Sequence, residues 1–192
     1  SDNTDPVSRV YIQWGMSHFF PAITMASHVS ASPNHQTHRE TPLKFRFDLA
    51  MSGRLGMEMM ASTFTPEEKA FAIEAIENYK EIKPIVQFGD LYRILSPYEA
   101  GVSSLMYVDE KKDEAVFFAF NLEKNLRQSY PALRFDGLDP EKKYSLEEIN
   151  CDRRPVFIPE EDIYSGEVLM NIGVPADLSR VYQSRVIRLV AQ

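Results

Sequence analysis

Three helix starts at the beginning of the chain constrain its fold most strongly. They lie at residues 4–6 (TDP), 41–42 (TP) and 65–66 (TP). A threonine or aspartate side chain can accept a hydrogen bond from a free N–H group of the first turn, and proline suits the first helical position. At the third start, Glu68 completes a capping box with Thr65. The sequence therefore predicts three helices in its first half.

Short apolar segments lie between these helices. Residues 22–30 and 55–60 are apolar and bounded by turn residues, which predicts a strand in each. The third helix is expected to end near Lys83, because Pro84 lacks the N–H group that a helix interior requires. The resulting order of helix, strand, helix, strand, helix is typical of a parallel α/β layer.

From Phe88 onward the pattern changes to β-prone segments separated by turn residues. The predicted strands are 91–95, 104–108, 115–122, 132–135, 144–149, 155–158, 167–170 and 184–190. Their spacing of roughly ten residues is typical of an antiparallel β-sandwich. The aromatic residues of this half alternate as core residues would. We therefore expect an α/β part at residues 1–87 and an all-β part at 88–192.

Composition and charge narrow the classes of partner. A net charge of −7 and an isoelectric point near 5.2 argue against a nucleic-acid partner, which would require clustered basic residues. No apolar run approaches the roughly 20 residues that span a membrane, so no membrane partner is expected. Cys151 is the single cysteine, which leaves no internal disulfide. Because no secretory signal is recognised, the location is undetermined, with the cytoplasm or periplasm favoured.

A polar loop at residues 29–39, with His28 before it, is the main candidate for binding. His28, His35 and His38 have spacings that resemble no metal-ligand set, so no metal is expected. Asn34 and Gln36 carry both hydrogen-bond donors and acceptors. They suit contacts to a hydroxyl-rich ligand, and they equally suit structural hydrogen bonds within the loop.

Two carboxylates lie at the first helix start. Asp5 precedes Pro6 and is expected to cap the helix. Asp2 lies further out, beyond an obvious capping role, which makes it a candidate for chemistry.

Several segments in order resemble the C-terminal third of the glycoside hydrolase family 36 α-galactosidases. They are residues 1–5 (SDNTD), 28–31 (HVSA), 33–37 (PNHQT), 41–43 (TPL), 50–53 (AMSG), 86–93 (VQFGDLYR) and 137–140 (GLDP). The resemblance implies that residues 1–87 are the C-terminal part of a (β/α)8 catalytic barrel. Residues 88–192 would then be the C-terminal β-sandwich domain. Two departures stand out: His38 replaces a usual glycine, and residues 57–60 (MEMM) replace a usual Tyr-Glu-Leu-Asp.

The same resemblance implies a retaining enzyme that removes terminal α-linked galactose from raffinose-type oligosaccharides. Asp2 matches the general acid/base, whereas the nucleophile lies upstream of the chain. Asn34, His35, Gln36 and Arg39 are expected to bind substrate at the rim of the pocket. No cofactor is implied. The expected partners are the oligosaccharide, the rest of the barrel and further copies in a homo-oligomer, and the chain alone is expected to be inactive.

Two alternatives from the residues themselves remain open. The β half could be a non-catalytic module that binds carbohydrate or a partner protein, with its aromatics forming a sugar-stacking face. The histidines could instead serve a metal enzyme, which elemental analysis would reveal.

Overall fold

The first half of the chain alternates helices with two short strands. The structure, a computed structural model, describes residues 3–123, 132–151, 163–175 and 178–192, so Asp2 and the strand predicted at 155–158 lie outside the described residues. The elements are α1 (Pro6–Met16), β1 (Ala26–Ser30), α2 (Leu43–Met51), β2 (Arg54–Glu58) and α3 (Pro66–Phe88). This order is the predicted one, although residues 22–24 form a 3-10 turn instead of the start of the strand.

The helix starts follow the predicted capping chemistry at two of three sites. The Asp5 carboxylate accepts a hydrogen bond from the Ser8 N–H at 3.0 Å. Thr65 and Glu68 form the reciprocal capping box, with N–H to oxygen distances of 3.2 and 3.0 Å. Helix α2 begins after Pro42 without a side-chain cap. Local sequence therefore defines where α1 and α3 begin.

The prediction that Pro84 ends the third helix is wrong. Helix α3 continues to Phe88, and the Pro84 ring lies on its exposed side. Proline in a helix interior costs roughly 3 kcal/mol. Burial of Ile82, Ile85 and Val86 on either side of the proline offsets this cost, because these residues are almost fully withdrawn from solvent.

Strands β1 and β2 pair in parallel, from Ala26 opposite Arg54 to Ser30 opposite Glu58. Within the described residues, this sheet has two strands only, so both of its outer edges are without a strand partner. A parallel pair with a helix after each strand confirms the predicted α/β order.

The second half forms one antiparallel sheet. Its strands are β3 (Asp90–Leu95), β4 (Val102–Val108), β5 (Glu114–Asn121), β6 (Lys143–Ile149), β7 (Ile163–Ser165) and β8 (Ser184–Ala191). The spatial order is β3-β4-β5-β8-β6-β7, and every neighbouring pair is antiparallel. A four-residue helix, α4 (Pro97–Ala100), connects β3 to β4. The antiparallel β-structure predicted for this half is confirmed, although short helices interrupt it.

Two of the predicted strands have other conformations. Residues 167–170 lie in helix α5 (Gly166–Asn171), whose first turn is capped by the Ser165 hydroxyl. Residues 132–135 contribute a single bridge, between Leu133 and Val174, instead of a strand. A segment of four mostly apolar residues is too short to distinguish a strand from one helical turn. At residues 167–170, the Ser165 cap favours the helix.

Both faces of the antiparallel sheet are covered. One face, including Tyr107 and Phe118, shares a hydrophobic core with α1, α2 and α3. The other face, including Phe117, packs against Phe135, Leu138 and helix α5. The aromatics considered for sugar stacking, namely Phe117, Phe118, Phe120, Phe135 and Tyr144, are all buried, with at most 3% of their surface exposed. They form core, as their alternation predicted.

A buried carboxylate on α2 joins the two halves. Asp48 is fully buried and accepts hydrogen bonds from the Ser184 hydroxyl at 2.7 Å and the Asn150 amide at 2.8 Å. Lys44 supplies the positive charge from one turn earlier. The end of β6 and the start of β8 are thereby fixed to α2. In the ranges that the structure describes, no helix combines the length and apolar character needed to cross a membrane.

Candidate functional site

The polar loop after β1 folds around Asn34. This side chain is 1% exposed, and its Oδ1 accepts hydrogen bonds from the N–H groups of Gln36 at 2.9 Å and Thr37 at 3.1 Å. Its backbone N–H donates to the Arg39 carbonyl at 2.9 Å, and its carbonyl accepts from the His38 N–H at 2.8 Å. These bonds close residues 34–39 into one turn. His38 has φ +57°, the left-handed region in which glycine is unstrained.

Residues 3–5 are bound to this turn. The Thr4 N–H donates to Gln36 Oε1 at 2.8 Å, and Asn34 Nδ2 donates to the Thr4 hydroxyl at 3.1 Å. Asn3 Oδ1 accepts from the Asp5 N–H at 2.9 Å. Both backbone and side-chain groups of this short segment are therefore held by the loop or by each other.

Asp5 does more than cap α1. Its fully buried carboxylate accepts from the Ser8 N–H and the Ser8 hydroxyl, at 3.0 and 2.8 Å, and from the Thr37 hydroxyl at 3.1 Å. The Arg39 guanidinium forms an ion pair with the same carboxylate, and one third of the Arg39 side chain is exposed. The cation and the three donors offset part of the cost of removing this carboxylate from water.

The structure thus places three of the four predicted substrate-binding side chains within the protein's own hydrogen bonds. Asn34, Gln36 and Arg39 bind residues 3–5, whereas His35 is exposed at the tip of the turn. The sequence allowed two roles for these side chains: contacts to a hydroxyl-rich ligand, or structural hydrogen bonds. Structural hydrogen bonds are present in the described residues. Asp2, the predicted acid/base, precedes Asn3 and lies outside the described residues.

A cavity of about 480 Å³, lined by both polar and apolar side chains, lies beside this segment. Its lining includes Asn3, Thr4, Arg9, His28 and Glu58. His28 Nδ1 and Glu58 Oε2 are 3.5 Å apart across the two parallel strands, and both side chains are roughly half exposed. Donors and acceptors of this kind suit a hydroxyl-rich ligand.

Arg9 and Glu58 are cavity residues that sequence reasoning missed. Arg9 Nη2 donates to the Ala26 carbonyl at 2.9 Å. Burial lowers the pKa of the Arg9 guanidinium, and the charge of Glu58 partly opposes that shift. The departure at residues 57–60 contained Glu58, but only the pairing of β1 with β2 brings its carboxylate within 3.5 Å of His28.

The histidines of this region do not converge. Among residues that the structure describes, no group of three or more His, Cys, Asp or Glu side chains is arranged to hold a metal ion. His28 instead faces Glu58.

Comparison with known families assigns both halves of the chain. The Melibiase family matches residues 1–89, and the glycosyl hydrolase family 36 C-terminal domain matches residues 102–189. The chain belongs to glycoside hydrolase family 36. It corresponds to the C-terminal part of that family's proteins.

Individual family 36 proteins support the assignment across the full length of the chain. It is 36% identical over 193 aligned residues to a probable alpha-galactosidase G of Aspergillus terreus, covering 100% of this chain and 25% of that protein. It is 39% identical to alpha-galactosidase AgaA of Geobacillus stearothermophilus, over 91% of this chain and 22% of that protein. The chain therefore spans about a quarter of the length of these relatives.

Solved family 36 structures have the same fold over this region. The alpha-galactosidase AgaB of Geobacillus stearothermophilus superposes with a TM-score of 0.90 at 37% identity, covering 100% of this chain and 25% of that one. A variant of AgaA in complex with raffinose gives the same TM-score, 0.90, at 35% identity, with the same coverage of 100% and 25%.

Proposed function

We propose that this chain is the C-terminal part of a longer retaining α-galactosidase, which hydrolyses terminal α-linked galactose from raffinose-type oligosaccharides. The observation that carries the proposal is the match of the first half to the Melibiase family and of the second half to the family 36 C-terminal domain, together with relatives named alpha-galactosidases. The AgaA complex with raffinose supports the substrate class.

We infer that residues 1–87 complete a (β/α)8 barrel. We also infer that residues 88–192, whose described strands form one six-stranded antiparallel sheet, belong to the C-terminal β-sandwich domain. The support is the parallel pair β1–β2, each strand followed by a helix, with outer edges that upstream strands of the barrel would cover. Active sites of such barrels lie at the C-terminal ends of the strands. The loop after β1 and residues 3–5 would then lie at that end of the barrel.

Asp2 is the proposed general acid/base. In a retaining glycosidase one carboxylate attacks the sugar to form a covalent intermediate, and the other protonates the departing oxygen and then activates water. The two carboxylates lie about 5–5.5 Å apart in such enzymes. Asp2 directly precedes Asn3, which lines the cavity beside Arg9 and Glu58, and this adjacency supports the assignment. The nucleophile would come from the upstream part of the protein, and this chemistry needs no cofactor.

The loop after β1 would form the rim of the sugar pocket. His35 is the side chain best disposed for direct contact, because it is exposed. Asn34, Gln36 and Arg39 would contribute to the rim while they hold residues 3–5. The remaining partners are the rest of the barrel and, in the full-length protein, further copies in a homo-oligomer.

The stereochemistry of the first product tests this proposal. The full-length protein is mixed with p-nitrophenyl α-galactoside in an NMR tube, and the anomeric proton of free galactose is followed from the first turnover. We expect α-galactose to appear first and to mutarotate slowly to β-galactose. Initial β-galactose would contradict a retaining mechanism, and the absence of any hydrolysis would contradict the activity itself.

The isolated 192-residue chain provides the complementary measurement. Because it would lack the nucleophile, it should release no p-nitrophenol above the uncatalysed rate. Hydrolysis by the chain alone would show that a second carboxylate within it completes the site.

A further inference from the structure

The burial of Asp5 exceeds what helix capping requires. One hydrogen bond from a side-chain oxygen to a first-turn N–H group satisfies a cap, and a solvent-exposed aspartate can supply it. Asp5 instead is fully buried and binds Ser8, Thr37 and Arg39. Taking a carboxylate out of water is costly even when it is paired. We therefore expect the Asp5 carboxylate to have a role in addition to capping α1.

This additional role involves the three residues before α1, which the loop after β1 holds in place. Thr37 and Arg39 approach the Asp5 carboxylate, and Asn34 and Gln36 bind Thr4, all from a loop more than 25 positions away in sequence. Within this loop, Asn34 also fixes Gln36 and Thr37 through their N–H groups. The interactions form one connected network, which we call the Asp5 clamp: Thr4, Asp5, Asn34, Gln36, Thr37 and Arg39.

A fixed segment matters for a general acid immediately beside it. Asp2 is bonded directly to Asn3, the first residue of this held segment, and successive Cα atoms are only about 3.8 Å apart. Proton donation requires the acid within about 2.6–3.2 Å of the departing oxygen. A misplacement of about 1 Å can lower a rate by about 100-fold.

We propose that the Asp5 clamp positions the acid/base Asp2, with Asp5, Thr37 and Arg39 acting as positioning residues rather than as substrate ligands. This inference rests on the proposed function of Asp2. It assigns the loop after β1 a role in proton transfer that acts through the backbone of residues 3–5.

The leaving group of the substrate separates this role from a general loss of structure. An activated aryl α-galactoside departs without a proton, whereas raffinose needs the acid to protonate its departing oxygen. In the full-length protein, Thr37→Val removes one hydrogen bond to Asp5 with little change in volume. We expect it to lower kcat/KM, which reports the step in which the leaving group departs, about 10- to 100-fold for raffinose and less than about 3-fold for p-nitrophenyl α-galactoside.

Arg39 provides a second pair of variants in case one substitution perturbs folding. Arg39→Gln should show the same selective loss, and Arg39→Lys, which keeps the charge, should recover part of it. Arg134→Gln, at an exposed arginine of the β half, is the matched control and should leave the rates for both substrates unchanged. Equal losses for both substrates, or a raised KM with unchanged kcat, would overturn the positioning role in favour of folding or direct sugar binding.

A double-mutant cycle distinguishes failure of the clamp from failure of the acid. If Thr37 acts through Asp2, adding Thr37→Val to Asp2→Asn should cost no further activity toward raffinose. Independent, additive losses would overturn the clamp while leaving the acid assignment intact. If Asp2→Asn alone shows no dependence on the leaving group, the proposed function of Asp2 fails instead.

Discussion

At the scale of single residues, the structure combines contacts within one helical turn with contacts between distant parts of the chain. The Asp5 cap and the Thr65–Glu68 capping box both form as predicted. Pairing of Asp5 with Arg39 could not be predicted from the residues, because it joins positions 34 apart in sequence. His38 illustrates the intermediate case: the family resemblance indicated a glycine position, and its φ of +57° has the left-handed geometry that glycine favours.

Also at the residue scale, the stability of the protein at alkaline pH tests the effect of burying the Tyr107 hydroxyl. It is 2% exposed, donates to the Ser52 carbonyl at 2.8 Å, and burial raises the pKa of its hydroxyl well above the ordinary value. In the unfolded chain tyrosine ionises near pH 10. Above about pH 10 only the unfolded state gains by losing this proton, so the free energy of unfolding should fall by up to about 1.4 kcal/mol per pH unit.

Chemical denaturation between about pH 8 and 11 measures this contribution. Tyr107→Phe should be less stable at neutral pH by about 1 kcal/mol, because it loses the bond to Ser52. Its stability should also fall less steeply above about pH 10 than that of the parent. Tyr98→Phe, which removes an exposed hydroxyl, is the control. Identical alkaline slopes for Tyr107→Phe and the parent would contradict the account.

At the scale of secondary-structure elements, tertiary packing determines strand order, strand pairing and some conformations that local propensity does not. Strand order β5-β8-β6 and the parallel pairing of β1 with β2 depend on long-range contacts. The strand predicted at 167–170 became helix α5 because Ser165 caps it and Leu169 is buried at its inner side. Helix α3 continues beyond Pro84 because the residues on either side of the proline are buried in the hydrophobic core.

The Pro84 result predicts a stabilising substitution. Pro84→Ala restores an N–H donor inside α3 and removes the ring from the preceding turn, so it should raise the free energy of unfolding by about 1–3 kcal/mol. Thermal unfolding of the full-length protein would show this as a higher Tm. Lys83→Ala, at the neighbouring exposed position, is the control and should leave the Tm nearly unchanged. A lower Tm for Pro84→Ala would mean that the proline ring contributes packing that outweighs the lost hydrogen bond.

Asp48 tests the connection between α2 and the antiparallel sheet. Asp48→Ala removes the carboxylate that accepts from Ser184 and Asn150 in the interior and leaves Lys44 without its counter-charge. We expect a loss of about 3–5 kcal/mol in stability, measured by denaturant unfolding. Glu74→Ala, at an exposed carboxylate of α3, should cost less than about 0.5 kcal/mol. Similar costs for the two variants would show that Asp48 does not join the halves.

At the scale of the whole molecule, the two halves share one hydrophobic core, so the β half supports the helices that hold the loop after β1. Sequence reasoning predicted both classes of structure and the change between them near Phe88. It did not predict that the loop would bind residues 3–5. The hydrogen-bonding side chains were recognised, but their partners became evident only when the fold brought β1 beside the start of α1.

The dependence of Asp2→Asn on the leaving group tests the central claim most directly. In the full-length protein, kcat/KM is measured for raffinose and for aryl α-galactosides whose leaving groups span a range of pKa, with Asp113→Asn as the exposed control. If Asp2 is the acid, the loss should exceed about 100-fold for raffinose and shrink steadily as the leaving group becomes more acidic. A loss of the same size for every leaving group would contradict the assignment of Asp2 and, with it, the proposed mechanism.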